Sequence, residues 1–565
     1  MTTQTTWTTI SKREARGRKG MVATKDVHAT SAGIEILEAG GNAIDAAVAA
    51  CFAVGVVEPA SSGIGGGGYL VYQVGQAGGV VGFPMRGPLA ARPDMFELTG
   101  EPVVGSFGWP GVVDDENLEG YRSIATPGAV AGLCEAHRRH GRLPLQEVVA
   151  PAVRIAREGF APSWFNLYSL GLSAGILFRY EELRRVFMPD GEMPTGDLLR
   201  QPDLADVLDI IGREGPDSFY RGDVARVIVA DIRRNGGILS EQDLADYRPF
   251  VWDGGLEFSY RGHTVRVPPY SSAGITSAMT LRLLDGFAVG AMGHNSEEML
   301  HHYISCARLA YADRLEYVAD PEHAEVPWDG LVSDAYTRRR RCSIQLDAPS
   351  VFEAGDPWVE EGRRPEQVLV ASRPALDDGT THLCVVDGEG NAVSLTNTIM
   401  SAFGSGVVPK GTGIVMNNGM MWYDPIPGRV NSIVPGKFPL NNMTPALVLD
   451  SDGVRLAVGA SGGRRITNCV TQIIVKVLDF GLDPQAAIDS PRVDCSTLAT
   501  SVDSRLDQSV RSGLEGRGHL LFTIGEGLVQ TGFASFASPV AILRESDSGL
   551  RGGVDTFHSA YAAGL

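Results

Sequence analysis

The sequence has few cysteines, no cysteine pair at short spacing and no long apolar run. The seven cysteines are scattered over 565 residues, a pattern that predicts neither a disulfide framework nor a zinc site. The longest apolar stretch, Ala46–Val57, has twelve residues, whereas a membrane helix needs roughly 20. Residues 1–20 also lack the apolar core of a signal peptide. We therefore expect a cytoplasmic protein that does not bind a membrane and holds no metal ion or other cofactor.

Positive charge is also scarce. The chain has 49 lysine and arginine residues against 67 aspartate and glutamate residues, so its formal net charge is −18. A surface of that sign repels the phosphates of DNA and RNA, and we expect no nucleic-acid partner. The four arginines of Arg338–Arg341 do not change this expectation, because the end of a solvated helix explains them.

Glycine, in contrast, is abundant, and the hydrophobic pattern changes along the chain. The 69 glycines are about 12% of the residues, which predicts the many tight turns of a sheet-rich enzyme. An apolar helix at Ala43–Val57 and a strand at Tyr69–Val74 precede residues 120–340, which are predicted to be mainly helical. Residues 343–379 have four prolines and little periodicity, and we expect a linker or mobile tail there. Alternating segments then predict hairpins, so helices should cover an antiparallel sheet.

A first short motif, Gly63-x-Gly65-x-x-Gly68, matches the dinucleotide-binding fingerprint. That fingerprint needs a strand before its glycines and a helix after them, because the phosphates bind at the start of the helix. Here a helix precedes the glycines and a strand follows them. A compact structural turn is therefore the better interpretation.

A second motif, Gly459-x-Ser461-x-Gly463, matches the nucleophile elbow of serine hydrolases and lies between a strand and a helix. His519 or His558 follows in the chain order that a catalytic triad needs. The hairpins predicted before Ser461, however, are unlike the alternating strands and helices of those enzymes. A serine nucleophile is thus a lesser alternative.

A third motif, Asp377-Asp378-Gly379-Thr380-Thr381-His382, lies where the predicted linker meets a strand. A threonine hydroxyl is a poor nucleophile unless a base lies beside it. Cleavage of the bond between Gly379 and Thr380 would give Thr380 a free α-amine with a pKa of about 7.7–8.0, and this amine would serve as the base. On its own, a Gly-Thr pair at the start of a strand is weak evidence, since threonine favours strands.

At these residues the chain resembles the γ-glutamyltransferase family of N-terminal-nucleophile (Ntn) hydrolases. The resemblance extends from about Gly20 to the C-terminus and depends on several blocks that occur in the same order. These blocks are Gly20-Met-Val-Ala-Thr24, Gly40-Gly-Asn-Ala-Ile-Asp-Ala-Ala47, Ser62-Gly-Ile-Gly-Gly-Gly-Gly68, Thr126-Pro-Gly128, Thr380-Thr-His382, Val385-Val-Asp387, Gly390-Asn391, Phe403-Gly404, Gly413-Ile414, Asn417-Asn418 and Gly462-Gly463.

The resemblance implies a four-layer αββα sandwich, a single catalytic unit of the α+β class made of two self-processed pieces. Cleavage before Thr380 would give residues 1–379 and 380–565, which stay together as a heterodimer; a dimer of such heterodimers is compatible with this. Thr380 would then form an acyl–enzyme ester that water or an acceptor amine resolves. Thr398 corresponds to the family's threonine that orients the nucleophile, and Gly462 and Gly463 correspond to its oxyanion pair.

The family's glutamyl-binding residues are changed in this chain. Several of the changes remove acceptors for the α-ammonium of a γ-glutamyl group, which is costly to bury unpaired. Trp422 adds bulk that would stack on a planar acyl group, whereas the new asparagines and Arg86 keep donors for a carboxylate or carbonyl. The changes are proline at the arginine position with Arg86 two places later, Met400 for an asparagine, Gly419 for an acidic or amide residue, Trp422 for an aspartate, and Asn441 and Asn442 for paired serines.

We therefore expect a self-processing amidohydrolase or acyltransferase that acts on a small-molecule amide less zwitterionic than a γ-glutamyl compound. Examples are a dicarboxylic monoamide, a cephalosporin-type side chain or a small oxo-acid amide. The alternative is a true γ-glutamyltransferase or glutathione hydrolase, in which other neighbours restore amino-acid binding. A scaffold without turnover is a lesser alternative, because a fold does not guarantee a function.

Overall fold

Two seven-stranded sheets form the centre of the protein in the computed structural model. The structure describes residues 11–102, 109–189, 191–194, 198–350, 352–364, 379–497, 499–525, 536–546 and 549–565. The strands in these ranges are β1 Ala15–Gly17, β2 Gly20–Thr24, β3 Gly67–Val74, β4 Ala77–Phe83, β5 Leu98–Pro102, β6 Pro110–Val112, β7 Phe250–Asp253, β8 Leu256–Tyr260, β9 His263–Val267, β10 Gly379–Asp387, β11 Ala392–Met400, β12 Ala446–Asp450, β13 Gly453–Ser461, β14 Val493–Asp494, β15 Thr500–Asp503, β16 Leu521–Ile524, β17 Ser538–Arg544, β18 Leu550–Val554 and β19 Tyr561–Gly564.

Helices cover the outer faces of both sheets. Among the described helices, none has a stretch both long and apolar enough to cross a membrane. The helices are α1 Val27–Glu38, α2 Ala43–Val57, α3 Ala129–His140, α4 Leu145–Glu158, α5 Trp164–Leu172, α6 Ala174–Arg179, α7 Glu181–Phe187, α8 Pro202–Glu214, α9 Asp217–Tyr220, α10 Asp223–Arg234, α11 Glu241–Ala245, α12 Gly274–Leu284, α13 Val289–Met292, α14 Glu297–Tyr317, α15 Trp328–Leu331, α16 Asp334–Arg341, α17 Trp358–Glu361, α18 Arg465–Phe480, α19 Pro484–Asp489 and α20 Gln508–Gly516, with short 3₁₀ turns at Val113–Asp115, Tyr121–Ser123 and Gly419–Trp422.

The side chains of each central strand alternate between two apolar layers. On β10, Leu383 and Val385 pack on the cluster that contains α2, whereas Cys384 and Val386 face the other sheet. Since successive side chains of a strand point to opposite faces, this alternation buries both faces. The other sheet packs in the same way against α12, α14 and α18. The order of layers is helix, sheet, sheet, helix, and the predicted four-layer αββα sandwich is confirmed.

Both sheets contain strands from before Gly379 and strands from Gly379 onward. One sheet has the order β19-β2-β10-β11-β3-β4-β7, and the other has the order β1-β18-β17-β13-β12-β9-β8. All neighbours in these two sheets are antiparallel. A break of the chain at Gly379 would therefore leave many interstrand hydrogen bonds between the two pieces.

The segment after α16 is more tightly packed than its composition suggests. The Tyr317 hydroxyl donates to the carbonyl of Gly355 at 2.6 Å, and the Gly355 N–H donates to Asp313 at 2.8 Å. Trp358, in the short helix α17, is buried. The described part of the expected linker or tail, 343–350 and 352–364, thus packs on α14 and α15, which the prolines and missing periodicity did not indicate. Residues 365–378 lie outside the described residues.

The run of glycines from Gly65 to Gly68 is a close-approach turn between α2 and β3. A Cβ atom at Gly66 would lie 2.1 Å from the carbonyl oxygen of Thr398, and one at Gly68 would lie 2.0 Å from that of Thr396. Only hydrogen fits at such distances, because the obstructing atoms belong to the backbone of β11. The motif that resembles a dinucleotide fingerprint is therefore a structural turn, as its order of elements predicted.

Replacing Gly66 with alanine should destabilise the protein. The added methyl group must push β11 away at Thr398, and overpacking of this kind costs about 1–3 kcal/mol of unfolding free energy. Urea or thermal unfolding measures the effect. Gly171→Ala is the matched control, because a Cβ there meets nothing within 4 Å and alanine suits the helix α5. Equal stability of the two variants would contradict the packing described.

Candidate active site

Thr380 lies near the start of β10 at a β-bulge, in which this one residue faces two residues of β11, Thr398 and Ile399. The pairing of β10 with β11 passes from Gly379 opposite Met400 to Thr381 opposite Asn397, with a register shift between them. Thr380 thus has no register partner in β11, and its side chain is buried between the layers. A bulge bends a strand and re-aims a side chain, and bulges are frequent beside active sites.

The hydroxyl groups of two threonines meet at the carbonyl of Gly379. The Thr380 Oγ1 lies 2.7 Å from the Gly379 carbonyl oxygen and 3.2 Å from the Thr398 Oγ1. The Thr398 hydroxyl donates to the same carbonyl oxygen and accepts a hydrogen bond of 2.9 Å from the N–H of Met400. This arrangement puts the Thr380 hydroxyl oxygen beside a peptide carbonyl that a second hydroxyl polarises.

Gly379 is held against the end of β11. A Cβ atom on Gly379 would lie 2.1 Å from the carbonyl oxygen of Met400, so a side chain at this position would force the two strands apart. The peptide bond between Gly379 and Thr380 is therefore fixed by close backbone contact as well as by the threonine hydroxyls.

A buried ion pair lies on the other side of Thr380. The Lys25 Nζ is 3.2 Å from the Glu58 Oε1, and it donates to the Thr380 carbonyl oxygen at 3.2 Å. The Thr381 hydroxyl donates to the Glu58 Oε2 at 3.0 Å. Burial raises the pKa of Glu58 above its usual range, although the nearby Lys25 and His558 oppose the shift. The sequence analysis missed this pair; the signal was a charged residue directly after each of two apolar segments, β2 and α2.

The predicted oxyanion pair forms the turn between β13 and α18. Gly462 and Gly463 have φ values of 131° and 58°, a region that glycine enters without strain. Three residues earlier, Gly459 packs against the ring of His382, which is two residues after Thr380. Burial lowers the pKa of His382 to about 3, so this ring is neutral and fills the space between the sheets. β13 thus lies against β10 next to the bulge, and the turn is at the N-terminal end of α18, where backbone N–H groups favour negative charge.

Methionines and a tryptophan surround the end of β11. Met400 and Trp422 belong to the apolar cluster between the sheets and are both fully or almost fully buried. The same cluster contains Met420, Met421 and Tyr423, which are next to Trp422 in the sequence, and Met85 from an earlier part of the chain. The structure therefore joins two of the predicted substrate-binding residues in one apolar layer.

The predicted polar substrate-binding residues have different surroundings. Asn441 donates from its Nδ2 to the Tyr69 hydroxyl at 3.0 Å. The Nδ2 of Asn442 is buried and has no hydrogen-bond partner among the described residues, so it is a donor free for a ligand. Arg86 places its guanidinium 5.7 Å from the ring centre of Tyr247 and 3.5 Å from the carbonyl oxygen of Asp243. The Nε of Arg86 is likewise buried without a partner, so Asn442 and Arg86 both have an unused donor.

Ser461 lacks the histidine that a serine nucleophile needs. Its hydroxyl donates to the carbonyl of Ser538 at 3.5 Å. His519 instead forms a 2.8 Å hydrogen bond with His301, and His558 lies 3.5 Å from Asp555. Within the part of the chain that the structure describes, neither ring contacts Ser461 through a hydrogen bond, and the elbow motif has no triad. Among all the residues that the structure describes, no group of three or more His, Cys, Asp or Glu side chains is placed to bind a metal ion.

Comparisons with known proteins agree with this geometry. The family model described as Gamma-glutamyltranspeptidase matches residues 29–565. The Acylase ACY 1 proenzyme of Pseudomonas sp. (strain V22) is 35% identical over 513 residues, which cover 90% of this chain and 88% of the relative. The Glutathione hydrolase proenzyme of Bacillus subtilis (strain 168) is 34% identical over 515 residues, covering 89% of this chain and 85% of the relative.

A solved structure shows the same fold. The crystal structure of cephalosporin acylase from Bacillus halodurans superimposes with a TM-score of 0.86 at 28% sequence identity, and the match covers 100% of this chain and 99% of that one. Proteins of this kind are Ntn amidohydrolases and transferases that are processed into two-chain heterodimers. The chain is therefore an enzyme of this type and belongs to the γ-glutamyltranspeptidase family.

Proposed function

We propose that the protein is a self-processing amidohydrolase or acyltransferase in which Thr380 is the nucleophile and, after scission, its own base. The observation that carries this proposal is the geometry at the bulge, where the Thr380 Oγ1 lies 2.7 Å from the Gly379 carbonyl oxygen. The Thr398 hydroxyl donates to that same oxygen. The word proenzyme in the names of the acylase and glutathione hydrolase relatives also supports processing.

Scission begins when the Thr380 Oγ1 attacks the carbonyl carbon of Gly379 and loses its proton. Negative charge develops on the Gly379 oxygen, where the Thr398 hydroxyl stabilises it. The carbon–nitrogen bond then breaks, the nitrogen takes up a proton, and Gly379 is left as an ester on the Thr380 oxygen. Water hydrolyses this ester to a Gly379 carboxylate and a free Thr380 hydroxyl. The products are the large piece, 1–379, and the small piece, 380–565.

Turnover uses the same hydroxyl on an external amide. The new α-amine of Thr380 accepts the hydroxyl proton, because its pKa of about 7.7–8.0 leaves much of it neutral near pH 8. The oxygen attacks the amide carbonyl, the amine product leaves with the proton, and the acyl group stays as an ester until water or an acceptor amine takes it. The backbone N–H groups of Gly462 and Gly463 stabilise the oxyanion, and one such donor is worth about 2.7–4 kcal/mol of transition-state free energy.

The acyl group is a carboxylic acid derivative without an α-ammonium. Met400 and Trp422 belong to the buried apolar cluster that includes the end of β11, and they offer no carboxylate for an ammonium group. The unpaired Nδ2 of Asn442 supplies a donor for a carboxylate or carbonyl. A dicarboxylic monoamide or a cephalosporin-type side chain fits this combination, and one relative is named an acylase while a structural neighbour is named a cephalosporin acylase.

Glutathione hydrolysis is the second candidate. It is favoured by the Bacillus subtilis relative, which is named a glutathione hydrolase and is nearly as similar as the acylase. In this case the α-ammonium of the substrate would need acceptors other than the two replaced residues, Met400 and Trp422.

Thr380→Ala should abolish both scission and amide turnover, because it removes the only oxygen that serves both steps. A denaturing gel of the native protein should show two bands: 379 of 565 residues in 60.2 kDa correspond to roughly 40 kDa and leave roughly 20 kDa. The variant should show one band. Ser461→Ala is the control and should still split. Turnover by a chain in which residues 379 and 380 remain joined would disprove the mechanism.

Two substrates that differ only in the α-ammonium test the acyl specificity. Glutaryl anilide should be cleaved with a kcat/KM at least about tenfold above that of γ-glutamyl anilide, since an unpaired ammonium costs more than 1.4 kcal/mol to bury. The double change Met400→Asn and Trp422→Asp should narrow or invert this ratio. Processing on a gel shows that the double variant folds. A native enzyme that prefers the γ-glutamyl compound would establish the second candidate instead.

A further inference from the structure

The carbonyl of Thr380 accepts a hydrogen bond from the Lys25 side chain, at a position where the backbone of a neighbouring strand would usually donate one. β10 pairs with β2 only from Cys384 opposite Ala23 to Asp387 opposite Gly20, and the bulge removes Thr380 from the register with β11. Lys25 follows the last residue of β2, and its Nζ reaches the Thr380 carbonyl oxygen at 3.2 Å. The lysine thus continues the contact between β2 and β10 by about one side-chain length beyond the paired region.

Glu58 holds both Lys25 and the residue after the nucleophile. Its Oε1 lies 3.2 Å from the Lys25 Nζ, and its Oε2 accepts the hydrogen bond of 3.0 Å from Thr381. Glu58 is itself anchored, because its N–H donates to Val54 at the end of α2 and its carbonyl accepts from Ser61 at 2.9 Å. Both charged residues belong to the segment before Gly379, and Lys25 binds Thr380 whereas Glu58 binds Thr381.

Stability is a weak reason for this pair. The side chains of Lys25 and Glu58 are 3% and 4% exposed, and the desolvation of two buried charges offsets most of their attraction. Apolar residues of similar volume are often as stable or more stable in such places. The pair contacts the backbone of Thr380 and the side chain of Thr381, which indicates that it fixes the position of these two residues.

We propose that Lys25 and Glu58 are positioning residues that clamp the first two residues of the small piece and so fix the nucleophile. This inference depends on the proposed scission before Thr380. Before scission, the strand pairing of Gly379 with Met400 restrains Thr380 from the N-terminal side. After scission Thr380 is a chain end, and that restraint is lost. The clamp then keeps the Thr380 hydroxyl beside Thr398 and keeps the Thr380 α-amine close to that hydroxyl.

The test is the kinetics of Lys25→Met in processed enzyme. We expect kcat to fall about 10- to 100-fold while KM changes by less than about threefold, because a displacement of about 1 Å at a reacting group costs this much in rate. Thr381→Val removes only the hydroxyl that binds Glu58, so it should lower kcat in the same direction by a smaller factor. The Thr381→Val variant also tests the proposal if the Lys25→Met variant does not fold.

The double variant Lys25→Met with Glu58→Gln separates positioning from folding. Removing one partner leaves the other charge buried and unpaired, so the double variant should regain thermal stability relative to Lys25→Met. Its kcat should stay low. Lys476→Met is the matched control: this lysine is also buried and donates to the carbonyls of Ser490 and Pro491, and its loss should lower the melting temperature with kcat within about twofold of native.

Two outcomes would overturn the clamp. One is native kcat in processed Lys25→Met or Thr381→Val enzyme; the other is recovery of kcat together with stability in the double variant, which would make the pair purely structural. A failure of the proposed function is distinguishable, because it would show as native protein that does not split or as an active Thr380→Ala variant, whatever the lysine variants do.

Discussion

The β-bulge at Gly379 and Thr380 is the constraint on which the site depends. Two close backbone contacts fix it: Gly379 lies against the carbonyl of Met400, and Gly66 lies against the carbonyl of Thr398. The end of β11 is thus held from both sides, and Thr398 has little freedom to move away from the Gly379 carbonyl. Because the interior is close-packed, a shift at one contact moves its neighbours. The glycine run in the α2–β3 turn therefore helps to fix the position of the Thr398 hydroxyl in β11.

The strands around the bulge come from both halves of the chain. β2 and β3 flank β10 and β11, and β13 lies across them from the other sheet. This interleaving would hold the residues around Thr380 in place if the chain broke at Gly379.

Local patterns predicted the long elements well and the short ones badly. The apolar run at Ala43–Val57 predicts a helix with the observed limits, and in the structure the Asn42 side chain caps its first turn. The strands β7, β8 and β9 lie in a region predicted to be mainly helical. They are four or five residues long, and β9 is stabilised by pairing with β12, a strand far along the chain. Such distant pairing leaves no trace in a local pattern.

The site was predicted in the same uneven way. Ordered sequence blocks indicated Thr380, Thr398 and the glycine pair, and the structure puts the two threonines in contact. The ion pair of Lys25 and Glu58 was not predicted, since the two residues come from separate elements and meet only in the fold. A charged residue directly after an apolar segment is only a weak signal, because burial and pairing are properties of the tertiary structure.

The backbone of Met400 gives one more argument about the acyl group. Its φ value is 84°, a left-handed conformation that costs a methionine about 1–3 kcal/mol and that asparagine adopts more readily. The asparagine of the resembling family would therefore suit this backbone better than the methionine does. Such strain persists only where the surrounding structure holds the residue in place, and Met400 is held by the hydrogen bond from its N–H to the Thr398 hydroxyl and by the buried apolar cluster around it. A methionine held in this way presents no acceptor for an ammonium group, which is the premise of the proposed acyl specificity.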